Sequence, residues 1–228
     1  MPTAVITGAS RGIGLELARQ YLADGWLVHA GARRPDDAPD LSELASPQLV
    51  VHRLDVTRGE DAASLATLLN GAPVDLLVNN AGIWFGDDEL YGRFSDEAWI
   101  EQFRVHVFGT MTMVAALQDN VAASEGRTII NISSGSGSFG WQAKSPDYPY
   151  NSSKAALNML ARGLAVDLRA KGIIVVNFSP GFVSTDMTGH DADLDPATSV
   201  AGMRQVIAGL DHATSGSFLR YNGEAMPW

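Results

Sequence analysis

The stretch Thr3-Ala4-Val5-Ile6-Thr7-Gly8-Ala9-Ser10-Arg11-Gly12-Ile13-Gly14 decides the fold. Residues 3–7 are apolar or β-branched and end at a glycine, which predicts a short buried strand. Beyond the turn, Leu15-Glu16-Leu17-Ala18-Arg19-Gln20-Tyr21-Leu22 has helical spacing. Strand, glycine-rich turn and helix together aim backbone N–H groups and a helix N-terminus at an anion such as a phosphate. The glycines allow backbone conformations and close approaches that a Cβ would block. Their spacing, Gly8-x3-Gly12-x-Gly14, differs from the commoner Gly-x-Gly-x-x-Gly of dinucleotide folds, but it occupies the same place, the first strand-to-helix turn.

Strands and helices alternate outward from that turn. Trp26–Ala30 reads as a second strand, ending at Gly31-Ala32-Arg33-Arg34. In a dinucleotide fold this strand end meets the adenosine ribose, where an acid suits NAD and an arginine suits the 2′-phosphate of NADP. No acid occurs before Asp36, and Arg11 adds a third positive charge on the same side. The expected cofactor is therefore NADP(H). Strands are also predicted at 49–52, 74–78, 128–132, 173–178 and 217–221, and helices at 61–70, 95–123, 150–171 and 196–210. In an open parallel sheet, ligands sit beyond the carboxyl ends of the strands. Gly8, Arg33, Asp55 and Asn79 each fall at such an end, so they share one rim. The alternation predicts an α/β, Rossmann-type, doubly wound parallel sheet of about seven strands, with helices on both faces and a single domain over residues 1–228.

Composition narrows the function classes. The 228-residue chain carries a formal charge of −10 and a pI near 4.8, against a nucleic-acid partner and against an anionic membrane surface. It has no cysteine, which excludes disulfides and thiolate metal sites; no metal is expected. Residues 1–7 lack the pattern of a signal peptide, and no apolar run reaches the ~18–20 residues of a membrane span. A cytoplasmic protein with a small-molecule substrate is the expectation.

Reactive groups concentrate between residues 133 and 154. Tyr150 and Lys154 stand at i and i+4 of a predicted helix and so share a face. The chain has only three lysines, Lys144, Lys154 and Lys171, which makes this pairing informative. A free phenol has a pKa near 10, and a nearby ammonium favours its phenolate form. Tyr148 competes, but its i+4 neighbour is Ser152, which offers no charge. Ser134, at the end of the fifth strand, is placed to donate to a carbonyl oxygen as negative charge develops. Ser133, Ser136 and Ser138 compete with it, Ser136 being the second choice.

These motifs, Thr7-Gly8-x3-Gly12-x-Gly14, Asn79-Asn80-Ala81-Gly82, Ser134, Tyr150-x3-Lys154 and Pro180-Gly181 with Thr185, resemble those of the short-chain dehydrogenase/reductases in order and spacing, over nearly the whole chain. The stretches 148–158 and 218–228 look like the C-factor/sniffer-type carbonyl reductases within that family. The resemblance implies that Gly8, Gly12 and Gly14 shape the turn under a pyrophosphate, with Ser10, Arg11, Ile13 and Arg33 around the cofactor. It implies that Asp55 and Val56 contact adenine, that Asn79 lies along the ribose, and that Ala81 and Gly82 also bind the cofactor. Pro180, Gly181 and Val183 complete the cofactor set, and Thr185 bonds the nicotinamide amide. Ser134 holds the substrate oxygen, Tyr150 exchanges its proton, and Lys154 binds the nicotinamide ribose. The implied activity is reversible, NADPH-dependent reduction of a ketone or aldehyde. The alternative is a C-factor-type signalling or scaffold protein with incidental turnover.

One position departs from the family. Where it usually carries an asparagine that holds a relay water, this chain has His106. A histidine can hold a water and titrates near neutral pH, so His106 joins Ser134, Tyr150 and Lys154 as a catalytic candidate. Trp84, Phe85, Phe139, Trp141, Phe182 and Met187 are candidates for an apolar substrate wall beside a short lid over residues 185–196. The apolar helices Val105–Leu117 and Ala155–Leu168 predict a homodimer or homotetramer.

Overall fold

Seven parallel strands form one sheet in the order β3-β2-β1-β4-β5-β6-β7. The strands are β1 (Thr3–Thr7), β2 (Leu27–Ala32), β3 (Leu49–Arg53), β4 (Leu76–Asn79), β5 (Thr128–Ile132), β6 (Ile174–Ser179) and β7 (Phe218–Arg220). The helices are α1 (Gly12–Ala23), α2 (Pro39–Ser42), α3 (Gly59–Leu69), α4 (Asp96–Phe103), α5 (Thr110–Ala122), α6 (Tyr148–Asp167) and α7 (Pro196–Ile207). The structure, a computed structural model, describes residues 1–85, 93–141 and 147–228.

Alternation along the buried strands builds a core on each side of the sheet. Ala4 and Ile6 pack with Leu17, Tyr21, Val200 and Met203 of α1 and α7. Val5 faces the other way, with Leu65 of α3, Met113 and Leu117 of α5, and Leu164 of α6. The strand order reverses between β1 and β4, so the connections on either side diverge and leave a crevice beyond those strand ends.

The predicted helix over 95–123 is not continuous. Ser95 caps α4 by accepting from Ala98 N–H at 3.2 Å, as expected of that residue type. At Arg104–Gly109 the chain then makes a π-helical turn before α5. The backbone at Gly109 comes so close to Val56 that a Cβ there would lie 2.7 Å from it. Such bulges gather at functional sites, and this one carries His106. Helix α6 begins at Tyr148, with Asp147 as its cap, and ends at Asp167, earlier than the predicted Lys171.

Candidate active site

The crevice at the β1/β4 reversal is a cavity of about 940 Å³, a volume suited to a cofactor with a small substrate. Its floor is the glycine turn. Gly8 and Gly12 have φ of +66° and +54°, which L side chains rarely adopt. A Cβ on Gly14 would fall 2.3 Å from the Gly8 carbonyl oxygen, so helix and strand close together only over glycine. Asn80 braces the turn: its Nδ2 donates to the carbonyls of Thr7 and Gly8 at 2.9 and 3.1 Å. The Thr7 hydroxyl accepts from the N–H groups of Asn80 and Ala81, both at 3.0 Å. The N-cap of α1, Arg11, makes no side-chain cap, and its first turn holds no acid. The N-terminal N–H groups of that helix therefore suit a phosphate.

Most residues anticipated for the cofactor line this cleft: Gly8, Ser10, Arg11, Gly12, Ile13, Gly14, Arg33, Asp55, Val56, Ala81, Gly82, Pro180, Gly181, Val183 and Thr185. Arg34 pairs with Asp37 at 3.6 Å, and Arg11 with Asp186 at 3.4 Å. Arg33 is exposed and makes no ion pair among the described residues. A phosphate ester at that strand end would meet an uncompensated guanidinium, so the cleft fits NADP(H).

Asn79 is the exception, because its side chain is buried in the sheet and does not line the cleft. Its Nδ2 donates to Asn131 Oδ1, Asn131 Nδ2 to Asn177 Oδ1, and Asn177 Nδ2 to Asn158 Oδ1, each at 2.9 Å. The strand register sets Asn79, Asn131 and Asn177 side by side, so the ladder runs across β4, β5 and β6 to α6. The ladder was missed in the sequence because its members lie 19 to 52 residues apart.

The chemistry gathers at the end of β5. Ser134 and Tyr150 stand together in the cleft, the Ser134 hydroxyl close enough to favour the ionised phenol. Two of the three competing serines are committed elsewhere. Ser133 is buried and donates to Asn158 Oδ1 at 2.6 Å, and Ser138 donates to the Pro227 carbonyl at 2.5 Å. Ser136 lines the cleft, with its N–H donated to Ser134 Oγ at 3.1 Å. Lys154 is buried; its Nζ donates to the Ile132 carbonyl at 3.0 Å and stands 5.6 Å from the Tyr150 ring centre. Burial pulls its pKa down to about 7.

Burial pushes the Tyr150 phenol up to about 12, with the Ser134 hydroxyl pulling the other way and Asp147 adding to the rise. Among these influences desolvation is the largest, so in the chain without cofactor the phenol keeps its proton at neutral pH. Asp147 positions this tyrosine as well. Its carboxylate accepts the Tyr150 N–H at 2.9 Å and the Trp84 indole N–H. Its only sequence signal was its place just ahead of a predicted helix, where acids serve as caps.

His106 is buried against Tyr150, the rings edge-on at 5.7 Å. Its Nε2 accepts the Ile83 N–H at 3.1 Å, which places the ring proton on Nδ1. Nδ1–H donates to Ser153 Oγ at 2.8 Å, and that hydroxyl donates to the Tyr150 carbonyl at 2.8 Å. Burial, then the charge of Lys154, holds its pKa well below the ordinary value. Both ring nitrogens are engaged, so the expected titratable, water-holding group is instead a neutral strut between the Ile83 loop and α6.

Of the six candidate wall residues, Trp84, Phe182 and Met187 line the cleft. Phe85, Phe139 and Trp141 do not; Phe139 is 89% exposed, and Trp141 lies over Gly135. Among the described residues no helix is long and apolar enough to cross a membrane, and no cluster of three or more potential ligands could hold a metal.

Comparison with known proteins agrees with this geometry. The family described as short chain dehydrogenase matches residues 2–194. The C-signal protein of Myxococcus xanthus is 36% identical over 168 residues, covering 72% of this chain and 99% of that protein. Among solved structures, the NADPH-bound carbonyl reductase from chicken fatty liver superposes with a TM-score of 0.91 at 32% identity, covering 100% of this chain and 99% of the other. The carbonyl reductase Sniffer of D. melanogaster superposes with a TM-score of 0.92 at 28% identity, with full coverage of both chains.

Proposed function

The chain belongs to the short-chain dehydrogenase family, and from that premise we propose that it is an NADPH-dependent carbonyl reductase. The observation that carries this reading is the convergence of Ser134, Tyr150 and Lys154 at the mouth of a dinucleotide-shaped crevice, with Lys154 Nζ 5.6 Å from the Tyr150 ring centre. NADPH supplies the hydride to the carbonyl carbon when bound. Gly8, Gly12, Gly14 and the N-terminus of α1 hold its pyrophosphate, and Arg33 its 2′-phosphate. Ser134 donates a hydrogen bond to the substrate oxygen, and Tyr150 Oη transfers its proton to that oxygen as charge develops there. The bond to Tyr150 hydrogen breaks, the new O–H bond forms, and the residue is left as phenolate. Ser134 and the Lys154 cation stabilise that phenolate until solvent restores the proton. The reverse oxidation follows the same path. Trp84, Phe182 and Met187 favour an apolar body on the carbonyl substrate.

The relationship to C-signal favours a second reading, a signalling protein in which turnover is incidental. The two part on one experiment: NADPH and NADH consumption against a panel of aldehydes, ketones, diketones and quinones, with Tyr150→Phe as control. Turnover with NADPH that the control loses supports the reductase. NADPH binding with no turnover of any carbonyl supports the signalling reading.

Phe108, Met159 and Val166 are 63%, 70% and 75% exposed on the outer sides of the π turn and α6. We read this apolar row as the contact of a homodimer or homotetramer. Light scattering on Met159→Asp, expected to yield monomer, tests it.

A further inference from the structure

The loop that follows Ser134 is rich in glycine and serine, and a chain of that composition has little order of its own. It is nevertheless packed on two sides. On one side Gly137 lies against α6, where a Cβ would fall 2.6 Å from the Lys154 carbonyl carbon. On the other side lies the segment after β7. That segment turns at Tyr221–Gly223 and runs back antiparallel along β7. Arg220 N–H donates to the Glu224 carbonyl, and Met226 N–H to the Phe218 carbonyl, both at 2.8 Å. The turn delivers Pro227 and Trp228 to the loop. Ser138 Oγ donates to the Pro227 carbonyl at 2.5 Å, and Gly140 N–H to the Trp228 carbonyl at 2.8 Å.

One glycine of the loop, Gly140, is explained by this contact, and Gly135 by the loop's own Trp141. A Cβ on Gly140 would lie 2.7 Å from Pro227 Cβ. One on Gly135 would strike the Trp141 ring at 2.4 Å and come within 3.6 Å of Met226 Cε. Trp228 is itself anchored, its ring 5.5 Å from that of buried Phe218 and 5.2 Å from the Arg162 guanidinium of α6. The loop's own large side chain at 139 points to solvent, so it supplies no anchor.

We propose that Glu224–Trp228 is a brace for the active site, holding Gly135–Gly140, and through that loop Ser134, where the serine hydroxyl meets Tyr150. Trp228 is a positioning residue that does not line the cleft. The effect on turnover rests on the reductase reading above; the effect on the loop does not.

The test combines hydrogen exchange with steady-state kinetics on the Trp228→Ala and Trp228→Phe variants of this chain. In Trp228→Ala, amides of the peptide spanning Ser134–Trp141 exchange at least about tenfold faster while β5 stays protected. With saturating NADPH, kcat falls roughly tenfold, as a displaced hydrogen-bond donor requires, and the KM for NADPH is unchanged. Trp228→Phe restores both. Arg162→Ala, which removes the guanidinium over the Trp228 ring and nothing in the loop itself, gives the same pattern at about two- to threefold and serves if Trp228→Ala does not fold. Unchanged loop exchange in the variants refutes the brace. Faster exchange with unchanged kcat refutes its role in catalysis. If the wild type turned over no carbonyl, the reductase reading would fall, and the exchange result would still decide whether the brace exists.

Discussion

Lys154 is held in the fold at a cost that depends on pH. Its ammonium is buried, and burial lowers its pKa from 10.5 to about 7. The unfolded chain therefore binds more protons than the folded one between those values, so stability rises as pH rises through that window. Below pH 7 the penalty is fully present; at about 1.4 kcal/mol per unit it is on the order of 5 kcal/mol. At pH 9 the folded lysine is neutral, and only the unfolded chain still favours the proton, which leaves roughly 2 kcal/mol. Lys154→Met removes the charge and also the hydrogen bond to the Ile132 carbonyl, a loss of about 1 kcal/mol that does not vary with pH. The variant should therefore be inactive yet more stable than the wild type at pH 6, and its advantage should shrink by about 3 kcal/mol on going to pH 9. Urea denaturation of both proteins at several pH values, without added nucleotide, measures this directly if the m-values agree. A stability difference that is flat with pH, or a variant less stable at pH 6, refutes the claim that the lysine is charged against its surroundings.

Other substitutions test other parts of the site. Arg33→Ala should raise the KM for NADPH by roughly 10- to 100-fold and leave NADH use nearly unchanged, since a charge-assisted contact contributes about 1.5–3 kcal/mol. Arg34→Ala should do much less, because Arg34 is already paired with Asp37; equal effects of the two would argue against the assignment. Asn131→Val strands Asn79 Nδ2 and Asn177 Oδ1 in the core, and chemical denaturation should show a loss of about 2–4 kcal/mol. For His106, any inflection of kcat/KM between pH ~5.5 and ~7.5 should come from Lys154 and persist in His106→Asn, since the ring stays neutral there. A neutral-range inflection that His106→Asn abolishes would restore the titrating relay.

The fold was legible because its signals are local. Thr3–Thr7 and the glycine turn announce strand, phosphate loop and helix within a span of residues that one glance covers, and alternation does the rest. The Tyr150/Lys154 pairing was legible for the same reason, since i and i+4 share a face wherever a helix forms. What escaped the sequence depends on contacts between distant segments. Asn79 and Asn80 are adjacent and chemically identical, and only the end of β4 decides that one enters the sheet and the other braces Gly8. His106 was read by its residue type, which titrates near neutrality in water, whereas burial and Lys154 keep it neutral. The π turn that carries it has no composition signal, and its Gly109 packs against Val56, distant in the sequence. Ser133 and Ser138 were separable from Ser134 only once Asn158 and Pro227 were seen to occupy them.

The proton of Tyr150 is the centre of the proposed chemistry, and single-turnover reduction tests it most directly. Wild-type protein and Tyr150→Phe are each saturated with NADPH, mixed with a reactive carbonyl, and followed by loss of nicotinamide absorbance together with the alcohol formed. The wild type should convert one nicotinamide per site to one alcohol. Tyr150→Phe, with unaltered NADPH binding, should be slower by about 10²–10⁴-fold, the usual worth of a positioned acid. Equal single-turnover rates in the two proteins would contradict the assignment of Tyr150 as proton donor.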